Sequence, residues 1–376
     1  MVKHAGAKRG QTGSSGRGRS VGTGCGQTGS SGRGRSVIRL GAVSLRFERR
    51  GLFVMVLLVL GILAVSLASL LIGDYGISFD EVLASFMGTA TDRLVAFFVM
   101  DVRLPRIVAG ILVGAALGVS GALFQTLSDN PLGSPDIIGF TKGAATGALV
   151  VIVVFSGGTV ALSLGAIAGG LLTAALVYGL SWHRGAPGYR LVLVGIGIGA
   201  TLGAVNSLLV VKAPLGNAEM AIHWMAGSLN ASTWNEVALT GAVLAVLAAV
   251  VCWQYRALGA MAYGDDSAIV LGVRAERSRL ILMFTGIMLM SMAISLAGPI
   301  SFVALVAPHL IKRITRTAGT ALVGAALMGS LLVVSSDLVA RRIFAPNELA
   351  VGVVTGSLGG IYLIALLAFE WRRRRQ

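Results

Sequence analysis

From residue 52 onward, long apolar runs alternate with short polar breaks. About 20 apolar residues cross the hydrocarbon core of a bilayer as a helix. By that measure the runs predict spans at 52–72, 104–126, 137–156, 160–181, 190–212, 235–255, 280–298, a short one at 300–314, 321–343 and 350–370. The pattern predicts an all-α, polytopic membrane protein of about ten transmembrane helices, and an even count puts both ends of the chain on one side. With the basic N-terminal stretch kept in the cytoplasm, the C-terminus with Arg372 to Arg375 is cytoplasmic too.

The loops test that orientation. Those assigned inside carry Lys142, Arg184, Arg190, Arg256, Arg274, Arg277, Arg279, Lys312, Arg313 and Arg316, and the C-terminal four bring the number to 14. Loops assigned outside carry six basic residues, Arg93, Arg103, Arg106, Lys212, Arg341 and Arg342. The excess favours the topology and isolates its exceptions, the arginines at outer helix mouths in "DVRLPRIVAG" and "SDLVARR".

Two polar breaks on the outer side are long enough to hold structure. In 73–103, Ser78-Phe79-Asp80-Glu81 has the spacing of a capping box, and Val82, Leu83 and Phe86 follow on one helical face, so a short surface helix is predicted. The 213–234 loop predicts a second such element. Within the membrane, Gly110, Gly114 and Gly118 recur at four-residue spacing, as do Gly352, Gly356 and Gly360. Such rows let helix backbones approach closely, because packing rather than hydrophobicity joins helices in lipid. The fifth span carries Gly195, Gly197, Gly199 and Gly203 with Asn206, a density that also suits a helix lining a translocation path.

Composition narrows the class. Apolar residues make up 55% and charged residues 12% of 376, against about 25% charged in soluble domains. The net charge of +15 does not mark a nucleic-acid protein, since 11 of the 31 Lys and Arg lie in the first 50 residues and most others sit in loops. Residues 1–50 read as a separate basic Gly/Ser/Arg-rich tail with GQTGSSGRGRSV repeated at 10–21 and 26–37. That composition cannot bury enough apolar surface to order itself, and it lacks the apolar region of a cleavable signal peptide. The apolar remainder, 51–376, forms the other domain. Cys25 and Cys252 have no metal spacing or evident partner, so neither a disulfide, a metal site nor a cofactor is expected.

Charges inside the spans are few, and each is costly in a bilayer. Asp337 precedes Arg341 by four residues, so the two can pair on one helix face. Chains of Asp, Glu or His for proton relay are absent, which weighs against a proton-coupled secondary transporter. The largest inner loop, 256–279, contains "YGDDSAIVLGVRAERSR". Two very short helices hinged at Gly272 fit it, with Asp265 and Asp266 near the first N-terminus, where the helix dipole favours negative charge.

Five segments in this order, "RLPRIVAGILVGAALGVSGALFQTLSDNPLGSPDIIGFTKGAATGAL", "HWMAGSL", "GDDSAIVLGV", "GPISFVALVAPHLIKRI" and "SDLVARRIFAPNELAVGVVTGSLGG", resemble the permease subunits of type II ABC importers, the FecCD/BtuC-like family. The resemblance covers 52–370, and "NPLGSPDIIGFTKGAATGAL" is most similar to ferric enterobactin permeases. It implies a transport permease rather than an enzyme, in the bacterial plasma or inner membrane, carrying a ferric siderophore; haem and cobalamin permeases share these motifs. Implied partners are a second permease subunit, identical or different, an extracytoplasmic substrate-binding protein, and cytoplasmic ABC ATPases, since this chain has no G-x-x-x-x-G-K-[ST] loop. Membrane lipid surrounds it, and Lys312 and Arg313 suit headgroups or the ATPase face. The resemblance also implies that Arg103, Arg106 and Arg341 receive acidic residues of the binding protein, and that Gly264, Asp265, Asp266, Ala268, Leu271, Gly272 and Val273 form the ATPase coupling loop. Departures from the family pattern are Ala350 in place of proline, "SLGGIYLIALL", and Ser301 and Ala304 where glycine is common. An ion-coupled transporter and a membrane scaffold remain the competing classes.

Overall fold

The computed structural model describes residues 35–40, 43–73, 75–90, 92–181, 188–230, 232–316, 319–345 and 347–374. Most of the duplicated tail, with Cys25, and the loop residue Arg184 lie outside them. The chain divides into two units, Met1–Arg49 and Arg50–Gln376. In the first, β1 (Arg35–Leu40) and β2 (Val43–Glu48) pair antiparallel, with Ile38 opposite Leu45. An unordered tail was expected there, and a lone two-stranded hairpin is marginal in water.

The second unit is helical throughout its described residues. A long apolar helix, α1 (Arg49–Leu71), is followed by the short α2 (Phe79–Met87) and α3 (Arg93–Phe97), and a π-helical turn, Phe98–Arg103, leads without a break into α4 (Leu104–Leu127). The short α5 (Phe140–Val150) ends in a second π-helical turn, Val151–Phe155. Next come α6 (Thr159–Ser181), α7 (Gly188–Lys212), the surface helix α8 (Leu215–Met225) and α9 (Trp234–Trp253). Two short helices, α10 (Tyr255–Met261) and α11 (Asp265–Val270), precede α12 (Ala275–Ala297), α13 (Val303–Thr315), α14 (Leu322–Arg342) and α15 (Val351–Arg374).

Among the described residues, seven helical stretches are long and apolar enough to cross a membrane, and Phe140–Phe155 and Val351–Leu366 are shorter apolar helices. The expected third span starts late because Gly139, at φ +86°, ends the preceding turn. The expected eighth span is the 13-residue α13, which contains Pro308. Conversely, the second runs for 35 residues, Arg93–Leu127, because the π-helical turn carries it past the predicted start. Both predicted surface helices form. On α2 the Ser78 side chain caps the Glu81 N–H while the Glu81 carboxylate accepts from the Ser78 N–H at 2.7 Å. These bonds hold the Glu81 carboxyl below its ordinary pKa.

The core forms where small residues let backbones touch. An added Cβ at Gly114 or Gly118 of α4 would overlap backbone atoms of Gly329 or Ala325 on α14, and at Gly121 it would strike Ala304 of α13. Ser330 then reaches the Ile111 carbonyl at 2.8 Å, and Ser120 the Gly286 carbonyl on α12 at 2.7 Å. The same device joins α5 to α6, where Gly143 and Gly147 face Gly169 and Gly165. The glycine row expected in the tenth span behaves differently. Gly352 is tight against the Ala226 carbonyl, but Gly356 and Gly360 have open space around their Cα positions, and Gly359 faces Phe302 instead.

That contrast is testable. Gly118→Leu would drive a side chain into a neighbouring backbone, and overpacking costs about 1–3 kcal/mol even where side chains can yield. It should sharply lower the melting temperature of the detergent-solubilised chain, whereas Gly356→Ala should leave it unchanged. Indistinguishable melting of the two variants would contradict the assigned packing.

Candidate functional site

The arginines set apart by charge counting come together at one end of the bundle. Arg103 ends the π-helical turn, and this wider turn aims it back at the α1–α2 corner. Its Nη1 donates to the Leu70 carbonyl at 2.5 Å and its Nη2 to the Tyr75 carbonyl at 2.6 Å. A Cβ at Gly73 would collide with this guanidinium, so a larger residue there would have to displace Arg103 from its two carbonyls. Tyr75 in turn stacks on Phe98 at 5.6 Å. Arg103 is buried, and these two bonds staple the corner from within.

One turn on, Arg106 is buried as well. Its Nε and Nη2 meet Asp337 Oδ1 at 3.0 and 2.9 Å, and its Nη1 donates to Asn230 Oδ1 at 2.9 Å and to Glu348 Oε2 at 3.1 Å. Asp337 is shared, since Arg341 Nε lies 3.2 Å from its Oδ2. The pair predicted from i, i+4 spacing therefore forms, with Arg106 from another helix added. Arg341 Nη2 also reaches the Ser69 hydroxyl on α1. Around these groups opens a cleft of about 480 Å³ that includes Tyr75, Phe98, Asn230, Arg342 and Glu348 in its wall. Surface-presented arginines were expected. The structure places Arg103 and Arg106 behind partners of their own.

Helix α9 fixes where the opposite end lies. Trp234 Nε1 donates to the Met100 carbonyl at 2.8 Å, and Leu112 lies beside Gly241, so α9 starts at the arginine end and runs alongside α4. Twenty residues of helix carry the chain about 30 Å, and α10 and α11 follow at the far end. Gly264, at φ +97°, opens α11, whose first turn holds Asp265 and Asp266. Gly272, at φ +78°, separates α11 from the long α12, whereas sequence suggested that it joins two short helices. The second short helix is α10, on the other side of Gly264. Arg279 clamps Asp265 through both carboxylate oxygens at 2.7 Å, which fixes α11 to α12. Ala268 is buried and accepts from Val273 N–H at 3.0 Å, while Ile269, Val270 and Leu271 are exposed, Val270 by 86%. Beside them a groove of about 610 Å³ is walled by Val273, Arg274, Glu276, Arg277 and Leu280.

The residues read as pathway-lining in α7 sit on its packed stripe. Gly195 lies against Ile138, Gly199 against Gly139, and Gly203 near the Lys142 side chain. Asn206 is buried; its carboxamide accepts from Thr146 at 2.6 Å and donates to the Lys142 carbonyl at 3.3 Å. The open face of α7 carries Gly197, Ala200, Thr201, Ala204 and Leu208. Sequence alone does not distinguish the packed stripe from the open one, because small residues occupy both faces. Sequence also overlooked Asp136. Half-buried between helices, its carboxylate accepts from Thr141 Oγ1 at 2.5 Å and from the Phe302 N–H at 3.2 Å, so it serves the start of α13, which has no side-chain cap of its own. The Asp after Pro135 looks like loop chemistry, and only the distant partner shows otherwise.

Asp337→Asn would leave Arg106 and Arg341 without their shared counter-ion. Removing one partner of a buried ion pair costs about 3–5 kcal/mol. The expected result is a larger fall in melting temperature than for Glu348→Gln, whose carboxylate is partly in water; equal falls would remove Asp337 from the centre of the network.

Comparison with known proteins follows the same geometry. The chain matches the FecCD transport family over residues 59–369. It is 44% identical over 327 residues to the ferric enterobactin transport system permease protein FepG of Escherichia coli, covering 87% of this chain and 99% of that protein. The hemin transport system permease protein HmuU of Yersinia pestis is 32% identical over 336 residues, 88% of this chain and 98% of that one. The cobalamin import system permease protein BtuC of Halobacterium salinarum is 34% identical over 268 residues, 71% and 72% of the two chains. A solved metal-chelate type ABC transporter in an inward-facing conformation matches with a TM-score of 0.74 at 25% identity, over 85% of this chain and 99% of its own. An all-helical bundle with these relatives is an integral inner-membrane permease of a metal-chelate type ABC importer, and the chain belongs to the FecCD transport family.

Proposed function

We propose that this chain forms one half of the translocation path of an ATP-driven importer for a ferric siderophore of the enterobactin type. The observation that carries this reading is the polarity of the bundle, with clustered arginines and carboxylates at one end and an exposed apolar knob at the other. The similarity to the ferric enterobactin permease supports the cargo assignment. In this reading the chain crosses ten times, by the seven long helices, the two shorter apolar ones and α13, and both termini are cytoplasmic.

In this reading the charged end is extracytoplasmic and receives an acidic surface of the substrate-binding protein. Arg103 holds the α1–α2 corner that walls the cleft, and Arg106 and Arg341 supply its positive charge. The knob formed by Gly264 to Val273 seats a separate cytoplasmic ATPase, with Asp265 and Asp266 in the first turn of α11, Ala268 anchoring it and Leu271 offered to the partner. Gly195, Gly199, Gly203 and Asn206 set how closely α7 approaches α5, and the open face of α7 turns to the path and a second permease subunit.

The decisive assay is uptake into proteoliposomes containing the permease pair and ATPase, with the binding protein outside. ATP should drive accumulation of a ferric catecholate in preference to haem or cobalamin. Preference for haem or cobalamin would move the cargo, and uptake driven by membrane potential without ATP would refute the ABC assignment. Burying an apolar side chain contributes about 1.5–3 kcal/mol, so Val270→Asp on α11 should weaken ATPase retention during co-purification tenfold or more. Unchanged retention would place the ATPase contact elsewhere.

A further inference from the structure

The arginine cleft contains a carboxylate that blocks its own most attractive position. Arg106 is enclosed by Asp337, Asn230 and Glu348, leaving its side chain 6% exposed. Asp337 is deep, at 5%, and is tied to Arg341 as well. Glu348 is 34% exposed and pairs with Arg106. A carboxylate arriving from outside therefore reaches Arg106 only where Glu348 now stands.

Three features make such an exchange inexpensive. A buried guanidinium left without a counter-ion is strongly unfavourable, but one carboxylate replacing another never creates that state, and Asp337 stays bound throughout. The departing Glu348 is already partly in water. The cleft walls also carry Arg103, Arg106, Arg341 and Arg342 against the acidic Glu348 and the adjacent Asp337, an excess of two positive charges that draws in an acidic group.

Glu348 lies in the short connection between α14 and α15, held by Leu349 N–H to the Ala340 carbonyl at 3.1 Å and by Gly352 N–H to the Gly227 carbonyl at 3.4 Å. Its bridge to Arg106 ties this connection, and with it the outer end of α15, to α4. We propose that Glu348 is a displaceable internal latch. An acidic side chain of the docking protein takes its place on Arg106, and the outer end of α15 is released as a direct consequence of docking. This rests on the reading of the charged end as the docking face.

The experiment uses the permease–ATPase complex in lipid nanodiscs with the cargo-free binding protein. Docking itself is read by disulfide formation between Phe344→Cys, an exposed position near the cleft, and single cysteines beside acidic residues on the binding protein. Latch release is read by amide hydrogen exchange at Leu349, Gly352 and Val353. Saturating binding protein should speed exchange there in the wild type. Glu348→Gln, which keeps the shape but removes the competing charge, should bind about tenfold tighter, close to the lower limit for close interfacial charge pairs, and should show fast exchange before the binding protein is added. Glu348→Asp, too short to bridge at the same distance, should fall on the same side. Docking with unaltered affinity in both variants, or with unaltered exchange in the wild type, overturns the latch alone. Absence of the Phe344→Cys cross-link overturns the docking reading beneath it. Should Glu348→Gln fail to assemble with the ATPase, the wild-type exchange measurement still decides.

Discussion

One carboxylate answers for two guanidiniums at one end of this bundle. Asp337 accepts from Arg106 through one oxygen and meets Arg341 with the other. In a poorly polarisable interior such charges persist only when paired, so the helices that bear them are held in one register. Arg106 belongs to α4 and Arg341 to α14, and Arg341 also reaches Ser69 on α1. Neighbouring Arg103 draws in the end of α1 at Leu70. The shape of the mouth thus follows from satisfying Asp337 and its neighbours, and the connections holding Asn230 and Glu348 complete the shell.

Long side chains can meet at that end only because the backbones are already close below it. Gly114 and Gly118 let α14 lie directly on α4, and Gly121 does so for α13. The dense packing is uneven. α4 is buried on nearly all sides, while α7 and α15 bury a single stripe each and leave small and apolar residues open along the other. In lipid, a helix held on one stripe is less constrained than one interlocked all round. The most interlocked part of the bundle is therefore the α4–α12–α13–α14 group, while α7 and α15 each keep an open face.

What the sequence revealed was local. The Ser78–Glu81 box, the Asp337–Arg341 pair, the α4 glycine row and the acidic start of α11 all lie within one or two helical turns, where spacing translates directly into contact. Arg106 was legible as an anomaly of charge placement but not as a buried group, because its partners lie 231 and 242 residues away. Asp136 was hidden for the same reason, its partner Phe302 being 166 residues distant. Periodicity also cannot tell which glycine stripe of α7 packs when both are small, nor foresee a π-helical turn, which needs one extra residue in a helix and no special composition.

The two ends differ in chemistry as their proposed partners differ in residence time. Paired charges at a partly wet cleft speed encounter and fix register while adding limited affinity, and they weaken with salt. That suits a carrier that must arrive loaded and leave empty in every cycle. Exposed Ile269, Val270 and Leu271 at the other end offer burial that salt does not screen, which suits a motor that stays attached. In the proposed orientation these arginines depart from the positive-inside pattern without its usual meaning. Arg103 donates to backbone carbonyls, and Arg106 and Arg341 share an acid, so a net positive charge remains at this end while Arg106 itself is reached by a partner only through exchange.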